Sequence, residues 1–374
     1  MKKLLIAMSV ALIAAVATPN PALAGGVTVY ENGDTKVKIF GDMRMRMEAD
    51  TTTQTGKSDK DRQRHRIRLR FGTAAQLNDV VTLGWRVATG AEANHSTHHN
   101  LGMVAGGSDG GSFGLDQGYI KLNLKPAWLW MGKYKNIVWD PMSMTWDSDA
   151  QPEGIAAGAT FGDIWVSAAW YQLSFTGWDN ANDTMLAYQV GGSFGGDVKV
   201  KLALGGYAVS DQEEDKAESE FHIPGGEAAY NHVMAEVSAK ELPLSPVVGI
   251  GYVSSTVDDK YIGDGAESAD KNAMVVWAKA KVVGYGVSLA YHDIGYAGAT
   301  ALGTLTQDDF PYTNNYTGYV VAVSRAAFDK KLKVGLKYFF QKTKNENIGP
   351  EAYDAMLGKG KERTRIQLNF DVNF

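Results

Sequence analysis

Apolar and polar side chains alternate along most of the chain with a period of two residues. In 37–48, 65–71 and 363–374, one set of alternate positions is mainly apolar and the other is rich in charged side chains. A β-strand sorts alternate residues onto opposite faces, whereas a helix with this pattern would scatter its arginines around the whole surface. The pattern therefore predicts strands in which one face meets an apolar environment and the other meets water.

Sixteen alternating runs are predicted as strands. They lie near 35–48, 62–77, 80–89, 116–124, 127–134, 154–161, 164–173, 184–194, 198–209, 231–239, 245–256, 272–283, 287–296, 316–324, 332–341 and 361–374. Short connections with turn-forming residues alternate with long polar ones. The long connections are 49–61, 90–115, 135–153, 174–183, 210–230, 257–271, 297–315 and 342–360.

The strand number, strand length and alternation of connections predict an all-β fold that spans a membrane. Hydrocarbon cannot hydrogen-bond a backbone, so a sheet in a bilayer must close on itself. The expected architecture is a 16-stranded antiparallel transmembrane β-barrel with short periplasmic turns and long extracellular loops. Trp85, Trp128, Trp130 and Tyr134, near strand ends, are expected at the membrane interface. A soluble β-sandwich or propeller would need neither the alternation of long and short connections nor aromatic residues near strand ends.

The first 24 residues have the composition of a secretory signal peptide. Lys2 and Lys3 precede an apolar run over 4–17, and Ala22 and Ala24 form a small-x-small cleavage pattern. The run is shorter than the roughly 20 residues that a spanning helix needs. We expect 1–24 to be removed and 25–374 to form one barrel.

Composition excludes several classes of protein. The 374 residues include no cysteine, which rules out disulfides, thiolate metal sites and cysteine nucleophiles. The formal charge of −5 argues against a nucleic-acid partner. This net charge conceals a strongly uneven distribution of arginine along the chain.

The sequence resembles the porins of Gram-negative outer membranes. The resemblance rests on the signal peptide, the sixteen strands and a last strand that ends on an aromatic residue. The segments 64–72, 78–90, 115–120 and 146–154 are similar to one group within the porins. The resemblance to porins implies diffusion of small hydrophilic solutes, a homotrimer, and a C-terminal signal for the barrel-assembly machinery. In this sequence that signal would be Phe370, Val372 and Phe374.

Arginine is confined almost entirely to four strands that become neighbours when the barrel closes. Ten of the eleven arginines lie on the first three strands and the last one, and Arg325 is the exception. Burying a guanidinium in lipid would cost roughly 2–4 kcal/mol at the bilayer midplane. The alternation therefore predicts a basic wall that lines the pore. Its members are Arg44, Arg46, Arg64, Arg66, Arg68, Arg70, Arg86, Arg363 and Arg365, with Arg62 at the edge of a loop. A structural role, in which these arginines pair with acids without touching solute, stays open.

The third long loop is the candidate constriction loop. In general porins this loop folds into the barrel, although the family's own loop motif is not found here. Segment 135–153 carries acids that would face the basic wall and create a transverse field. These acids are Asp140, Asp147, Asp149 and Glu153.

The function expected is a water-filled outer-membrane channel for passive diffusion of small hydrophilic solutes and ions. A substrate-specific porin for phosphate, sulfate or organic anions is the alternative, because guanidinium groups bind such anions in bidentate geometry. No enzyme activity, cofactor or metal is expected. His95, His98 and His99 in loop 90–115 lack a nearby carboxylate, and the resemblance suggests that this loop latches onto a neighbouring subunit. The acidic loop 210–230 is expected to be solvated or to bridge lipopolysaccharide through divalent cations.

Overall fold

The computed structural model describes nine segments of the chain. They are 26–90, 96–102, 113–173, 184–210, 227–257, 268–298, 314–328, 330–345 and 360–374. The expected signal peptide, His95 and most of the acidic loop 210–230 lie outside the described residues. Within these nine segments, no helix is long and apolar enough to span a membrane.

The described residues form eighteen β-strands and one 3-10 turn, Ser268–Lys271. The first nine strands are β1 (Val27–Asn32), β2 (Thr35–Gln54), β3 (Lys57–Gln76), β4 (Val81–Thr89), β5 (His99–Leu101), β6 (Phe113–Leu124), β7 (Ala127–Lys133), β8 (Glu153–Phe161) and β9 (Ile164–Gln172). The others are β10 (Thr184–Phe194), β11 (Val198–Ser210), β12 (Glu227–Ala239), β13 (Val247–Ser255), β14 (Asn272–Val282), β15 (Tyr285–Ile294), β16 (Tyr316–Ala327), β17 (Leu332–Thr343) and β18 (Lys361–Asn373).

Sixteen of these strands close into an antiparallel barrel, as the sequence predicts. Strands β2–β4 and β6–β18 each pair with their neighbours around the wall, and β18 pairs with β2 to close it. The two strands that the sequence did not predict are β1 and β5. Strand β5 pairs with β3 through Ile67, Arg66 and His65. Strand β1 forms a hairpin with β2 through the turn at Gly33 and Asp34. The Gly33–Asp34 dipeptide is a two-residue hairpin-turn signal that could have revealed it.

The two faces of the wall differ as the alternation predicts. In β2, Met45 and Met47 are exposed on the outside while Arg46 and Glu48 are buried on the inside. The outer surface is built from exposed apolar side chains on most strands, whereas the outward Val334 of β17 and Ile366 and Leu368 of β18 are buried. Examples of the exposed side chains are Met45, Trp85, Ile155, Val190, Leu202, Val233, Ile250, Val276, Leu289 and Val321. This is the surface that a barrel presents to hydrocarbon.

The first predicted long loop, 49–61, is instead an extension of strands β2 and β3. The two strands pair as far as Gln54 and Lys57, and only Thr55 and Gly56 form the turn. The prediction was wrong because this segment is polar on both faces, as expected where both faces of a hairpin meet water beyond the wall. We call this end of the barrel the loop end, and the opposite end, which carries turns such as 125–126, 162–163 and 195–197, the turn end.

Strands β1 and β18 lie end to end along one edge of β2. Strand β1 pairs with Thr35–Ile39, and β18 pairs with Asp42–Gln54. Between them, Phe374 and Gly41 exchange backbone hydrogen bonds of 2.9 and 3.0 Å. The Phe374 ring lies over Gly41 so closely that a Cβ there would meet the ring at 2.5 Å and the Arg70 carbonyl oxygen at 2.6 Å. Glycine is therefore required where the barrel closes.

The register places Phe370 and Val372 on the outer face together with Phe374. Phe370 lies opposite Val334 and Met45, and Val372 lies opposite Met43. The apolar face expected of an assembly signal is therefore present on the outside of β18, although its recognition stays a prediction.

We predict that Gly41→Val weakens closure of the barrel. The added side chain must displace the Phe374 ring or the backbone of β3, at a cost of about 1–3 kcal/mol. Heating of the folded barrel in detergent, followed by electrophoretic mobility, should show unfolding a few degrees lower than in the wild type.

Gly196→Val is the matched control, because a Cβ at Gly196 meets no atom within 4 Å. Equal unfolding temperatures for the two variants would contradict the tight closure described here.

Candidate functional site

The segment 134–152, between β7 and β8, lies inside the barrel. Trp146 and Met144 are buried in an apolar cluster with Tyr171 and Tyr207 of the inner wall. The Trp146 ring is 6.1 Å from that of Tyr207 and 6.2 Å from that of Tyr171. The Met144 methyl group lies 3.1 Å from where a Cβ of Gly251 would stand. One side of this interior segment is thus packed against β9–β13.

Polar contacts fix the same side of the interior segment. The backbone N–H of Trp139 donates to Gln189 Oε1 at 2.8 Å, and Asn136 Nδ2 donates to the Tyr207 hydroxyl at 2.8 Å. Burial raises the pKa of the Tyr134 phenol well above its ordinary value, so this hydroxyl stays protonated. The segment is therefore held by both apolar and hydrogen-bonded anchors.

Two of its aspartates stabilise turns within the segment. Asp140 accepts hydrogen bonds of 2.8 Å from both the backbone N–H and the hydroxyl of Thr145. Asp147 accepts one of 2.7 Å from the backbone N–H of Asp149. Short side-chain acceptors of this kind commonly stabilise turns. No ion pair joins Asp140 to an arginine within the described segments.

Asp149 connects the interior segment to the arginine wall. Its carboxylate accepts from Arg68 Nη1 at 3.0 Å and from Arg70 Nη1 at 3.1 Å. On the wall itself, the Asp42 carboxylate pairs with the same two arginines, with Arg68 Nη2 at 2.9 Å and Arg70 Nε at 2.8 Å. Thr97 also donates to Asp149, at 3.3 Å. Two carboxylates and two guanidinium groups therefore form one network across the lumen.

The arginines nearer the loop end form a second network around Glu48 and Asp50. The Asp50 carboxylate forms ion pairs with Arg365 at 2.6 Å and with Arg363 at 3.1 Å. Arg62 also reaches Asp50, at 2.6 Å, so it joins this network from the edge of the wall. Arg64 pairs with Glu48.

The remaining wall arginines also have partners. Arg44 pairs with Asp371 at 2.5 Å, and Arg86 pairs with Asp116. Arg46 donates to Asn369 at 2.7 Å. Arg66 donates to Ser96 at 2.8 Å, where Ser96 belongs to the connection before β5. Much of the basic wall is therefore neutralised, which is the structural role that the sequence left open.

A cavity of about 560 Å³ lies between the arginine wall, the interior segment and strands β14–β17. Seven basic side chains and two acidic ones line it. The basic ones are Arg44, Arg68, Arg70, Arg86, Lys135, Lys279 and Lys337; the acids are Asp147 and Asp149. Lys135 and Lys279 form no ion pair with any residue in the described segments.

Acids of the interior segment face the basic wall, as Asp149 does, but lysines outside that wall also line the cavity, which the sequence did not predict. Sequence reasoning missed Lys279 and Lys337, which stand across the cavity from the arginines. The alternation in 278–281, Ala-Lys-Ala-Lys, carries the same signal as the arginine strands and could have revealed Lys279. Glu153 does not face the lumen. It shares the outward face of β8 with exposed Ile155 and pairs with Lys133 at 2.7 Å.

Three of the four expected interface aromatics lie inside the barrel, and one of these, Tyr134, is fully buried in the interior apolar cluster. Trp85 is outward and 41% exposed, but Trp128 and Trp130 face inward, because they alternate with outward Leu129 and Met131. Several inward rings lie directly over a glycine of the neighbouring strand, where a Cβ would meet the ring at 2.2–2.4 Å. These pairs are Trp128 over Gly158, Trp165 over Gly191, Trp277 over Gly249 and Tyr119 over Gly84.

The histidines of loop 90–115 form no metal site within the described residues. His98 is buried, and His99 pairs with Ile67 through the backbone of β5. No group of three or more metal-binding side chains occurs in the described segments.

The chain is similar to porins in part of its sequence and in its fold. Residues 41–198 match the family described as "Putative porin". No curated protein matches the sequence. Among solved structures, Salmonella typhi OmpF in complex with daunomycin is 12% identical and superposes with a TM-score of 0.55, covering 92% of this chain and all of that one.

Other solved structures superpose similarly. The outer membrane protein OmpT of Vibrio cholerae, in a trimer form, has a TM-score of 0.51 at 14% identity, over 91% of this chain and 99% of its own. A Rhodopseudomonas blastica porin triple mutant has a TM-score of 0.50 at 12% identity, over 90% of this chain and 100% of its own. At these identities the structures establish a shared fold. The resemblance to porins is confirmed, and the four similar segments all lie within the matched 41–198.

We predict that Asp149→Ala loosens the interior segment. Loss of this carboxylate removes the ion pairs that tie the segment to Arg68 and Arg70, which keep Asp42 on the wall. Hydrogen exchange of backbone amides in 145–151 should quicken by about tenfold, which corresponds to about 1.4 kcal/mol of local opening free energy.

Asp163→Ala, in the turn between β8 and β9, removes a carboxylate outside this network and should leave that exchange unchanged. Unaltered protection in Asp149→Ala would mean that the apolar side alone holds the segment.

Proposed function

We propose that this protein is an outer-membrane porin that passes small hydrophilic solutes and ions by passive diffusion and prefers anions. One observation carries the proposal: the cavity inside the barrel is lined by seven basic and two acidic side chains. A narrow polar path with low-dielectric walls concentrates ions of the opposite charge. Lys135 of the interior segment and Lys279 of β14, which form no ion pair within the described segments, favour anions over cations together with the partly compensated arginines.

The apolar outer face and the porin-type fold support a location in the outer membrane of a Gram-negative cell. We propose that residues 1–24 direct export and are cleaved, and that Phe370, Val372 and Phe374 are recognised by the barrel-assembly machinery. A homotrimer embedded among lipid and lipopolysaccharide agrees with the trimer form of the Vibrio cholerae protein. Stepwise closure of reconstituted channels in groups of three would test the trimer.

The second candidate is a substrate-specific porin for phosphate, sulfate or organic anions. Lys135 and Lys279 favour it, because an ammonium group without an ion-pair partner is free to bind a solute anion. Saturation of conductance as the concentration of one anion rises would distinguish a binding channel from simple diffusion.

We predict that Lys135→Glu combined with Lys279→Glu shifts ion selectivity towards cations. Both changes reverse a charge that lines the cavity. In a planar bilayer under a potassium chloride gradient, the wild type should give a reversal potential on the anion-selective side, and the double variant should move towards the potassium potential.

Lys240→Glu, on an exposed turn, reverses a charge outside the cavity and serves as the control. The proposed anion preference is excluded if wild type and double variant have the same reversal potential. Absence of conductance from the folded wild type would exclude the porin function itself.

A further inference from the structure

The lumen holds a group of aromatic rings and lysines that the passage of simple ions does not require. Stacked rings of Tyr119 and Trp130 stand on β6 and β7, with centroids 5.1 Å apart and planes 9° apart. Further round the wall, Trp165 of β9 faces Trp139 of the interior segment across Lys201 of β11. We call Tyr119, Trp130, Trp139, Trp165, Lys121 and Lys201 the aromatic–lysine cluster.

Each lysine of this cluster is held by a ring. The Lys201 ammonium lies 4.0 Å from the centre of the Trp139 ring and 5.1 Å from that of Trp165. The Lys121 ammonium lies 5.1 Å from that of Trp130. Neither lysine forms an ion pair within the described segments. A cation–π contact orients an ammonium group without neutralising its charge, so both remain able to bind an anion.

The cluster lies between the interior segment and the turn end, next to the basic cavity. Trp165 and Lys201 stand close to the short turns at 162–163 and 195–197. Tyr119 covers Gly84, which lies two residues from Arg86 on the same face of β4. A solute that leaves the cavity beside Arg86 therefore meets Tyr119 and Trp130 next.

The rings are half-buried and face water, an unusual placement for tryptophan in a membrane barrel, where it favours the lipid interface. Their flat faces suit a planar apolar group, while the two ammonium groups suit a carboxylate. Neutral sugars, which also stack on rings, are usually held by polar acceptors as well as donors. The charged groups that contact these rings are the two lysines, and the carboxylate of Glu236 lies opposite Lys201 in the register of β11 and β12.

We propose that the aromatic–lysine cluster is a binding site for aromatic carboxylates on their way through the channel. The proposal deepens the proposed function, since it rests on a conducting lumen and names a class of solute. The ring of the ligand lies against Trp130 or Trp139, and its carboxylate accepts hydrogen bonds from Lys121 or Lys201.

The first test is channel block by two carboxylates of similar size and charge, benzoate and cyclohexanecarboxylate. Stacking of aromatic pairs contributes about 0.5–1.5 kcal/mol beyond area burial. Benzoate should therefore block wild-type current at a concentration about two- to tenfold lower than cyclohexanecarboxylate. Equal block by both, or stronger block by glucose than by benzoate, would overturn the proposal.

Variants locate the site. Trp130→Leu combined with Trp139→Leu should abolish the preference for benzoate while chloride conductance persists. Trp85→Leu combined with Trp170→Leu removes two outward rings, 41% and 48% exposed, and should keep the preference. Preference retained without the inward rings would overturn the assignment.

A second measurement covers variants that insert poorly and separates the two proposals. Nitroaromatic compounds quench tryptophan fluorescence on stacking, so 4-nitrobenzoate should quench the folded protein in detergent more strongly than neutral nitrobenzene. Lys121→Gln combined with Lys201→Gln should remove that difference, and quenching equal for both compounds in the wild type would overturn the carboxylate class. Quenching without any ionic conductance would contradict the porin function and leave the binding site standing.

Discussion

Every feature of this molecule depends on backbone hydrogen bonding at one seam, where the last strand meets the first long one. Sheet edges carry unpaired N–H and C=O groups that hydrocarbon cannot satisfy. Strand β18 satisfies most of one edge of β2, and β1 covers the remainder. Gly41 and Phe374 join the two pieces. Because the wall is closed, its inner face is free to carry charge.

The arginines benefit directly from that closure. Ten guanidinium groups stand on four neighbouring strands and would repel one another without nearby carboxylates. Asp42, Glu48 and Asp50 lie among them on the wall, and Asp149 arrives from the interior segment. The arginine wall is thus both a structural brace and a charged surface. Its net positive character reaches the cavity because Lys135, Lys279 and Lys337 add cations on the other sides.

Much of the fold could be predicted from the sequence, because a lipid-facing wall imposes strict alternation on each strand. All sixteen wall strands were found on that basis. Prediction from alternation was wrong where the chain leaves the lipid-facing wall. The hairpin tip over 49–61 is polar on both faces, and β5 owes its three residues to pairing with β3 rather than to any pattern of its own.

The site was predictable only in part. Alternation assigns each strand residue to a face and so predicts which arginines point inward, yet it says nothing of which carboxylate each arginine meets. Asp140 and Asp149 look equivalent in sequence, but one stabilises a turn and the other spans the lumen. The lysines of β14 and β17 were not predicted to line the cavity, although their spacing carries the same signal as that of the arginines. Arg66, an obvious candidate for a selectivity residue, is buried against Ser96, whereas Lys279 borders the cavity.

The glycines beneath the inward rings have a consequence for how such a barrel can change over evolution. Trp128, Trp165 and Trp277 each lie flat because the adjacent strand offers no side chain at that point. A single methyl group at Gly158 or Gly191 would tilt the ring towards the axis and narrow the bore. The width of the lumen is thus adjustable from glycines that lie beneath the rings, and ring and glycine are expected to vary as pairs among homologous barrels.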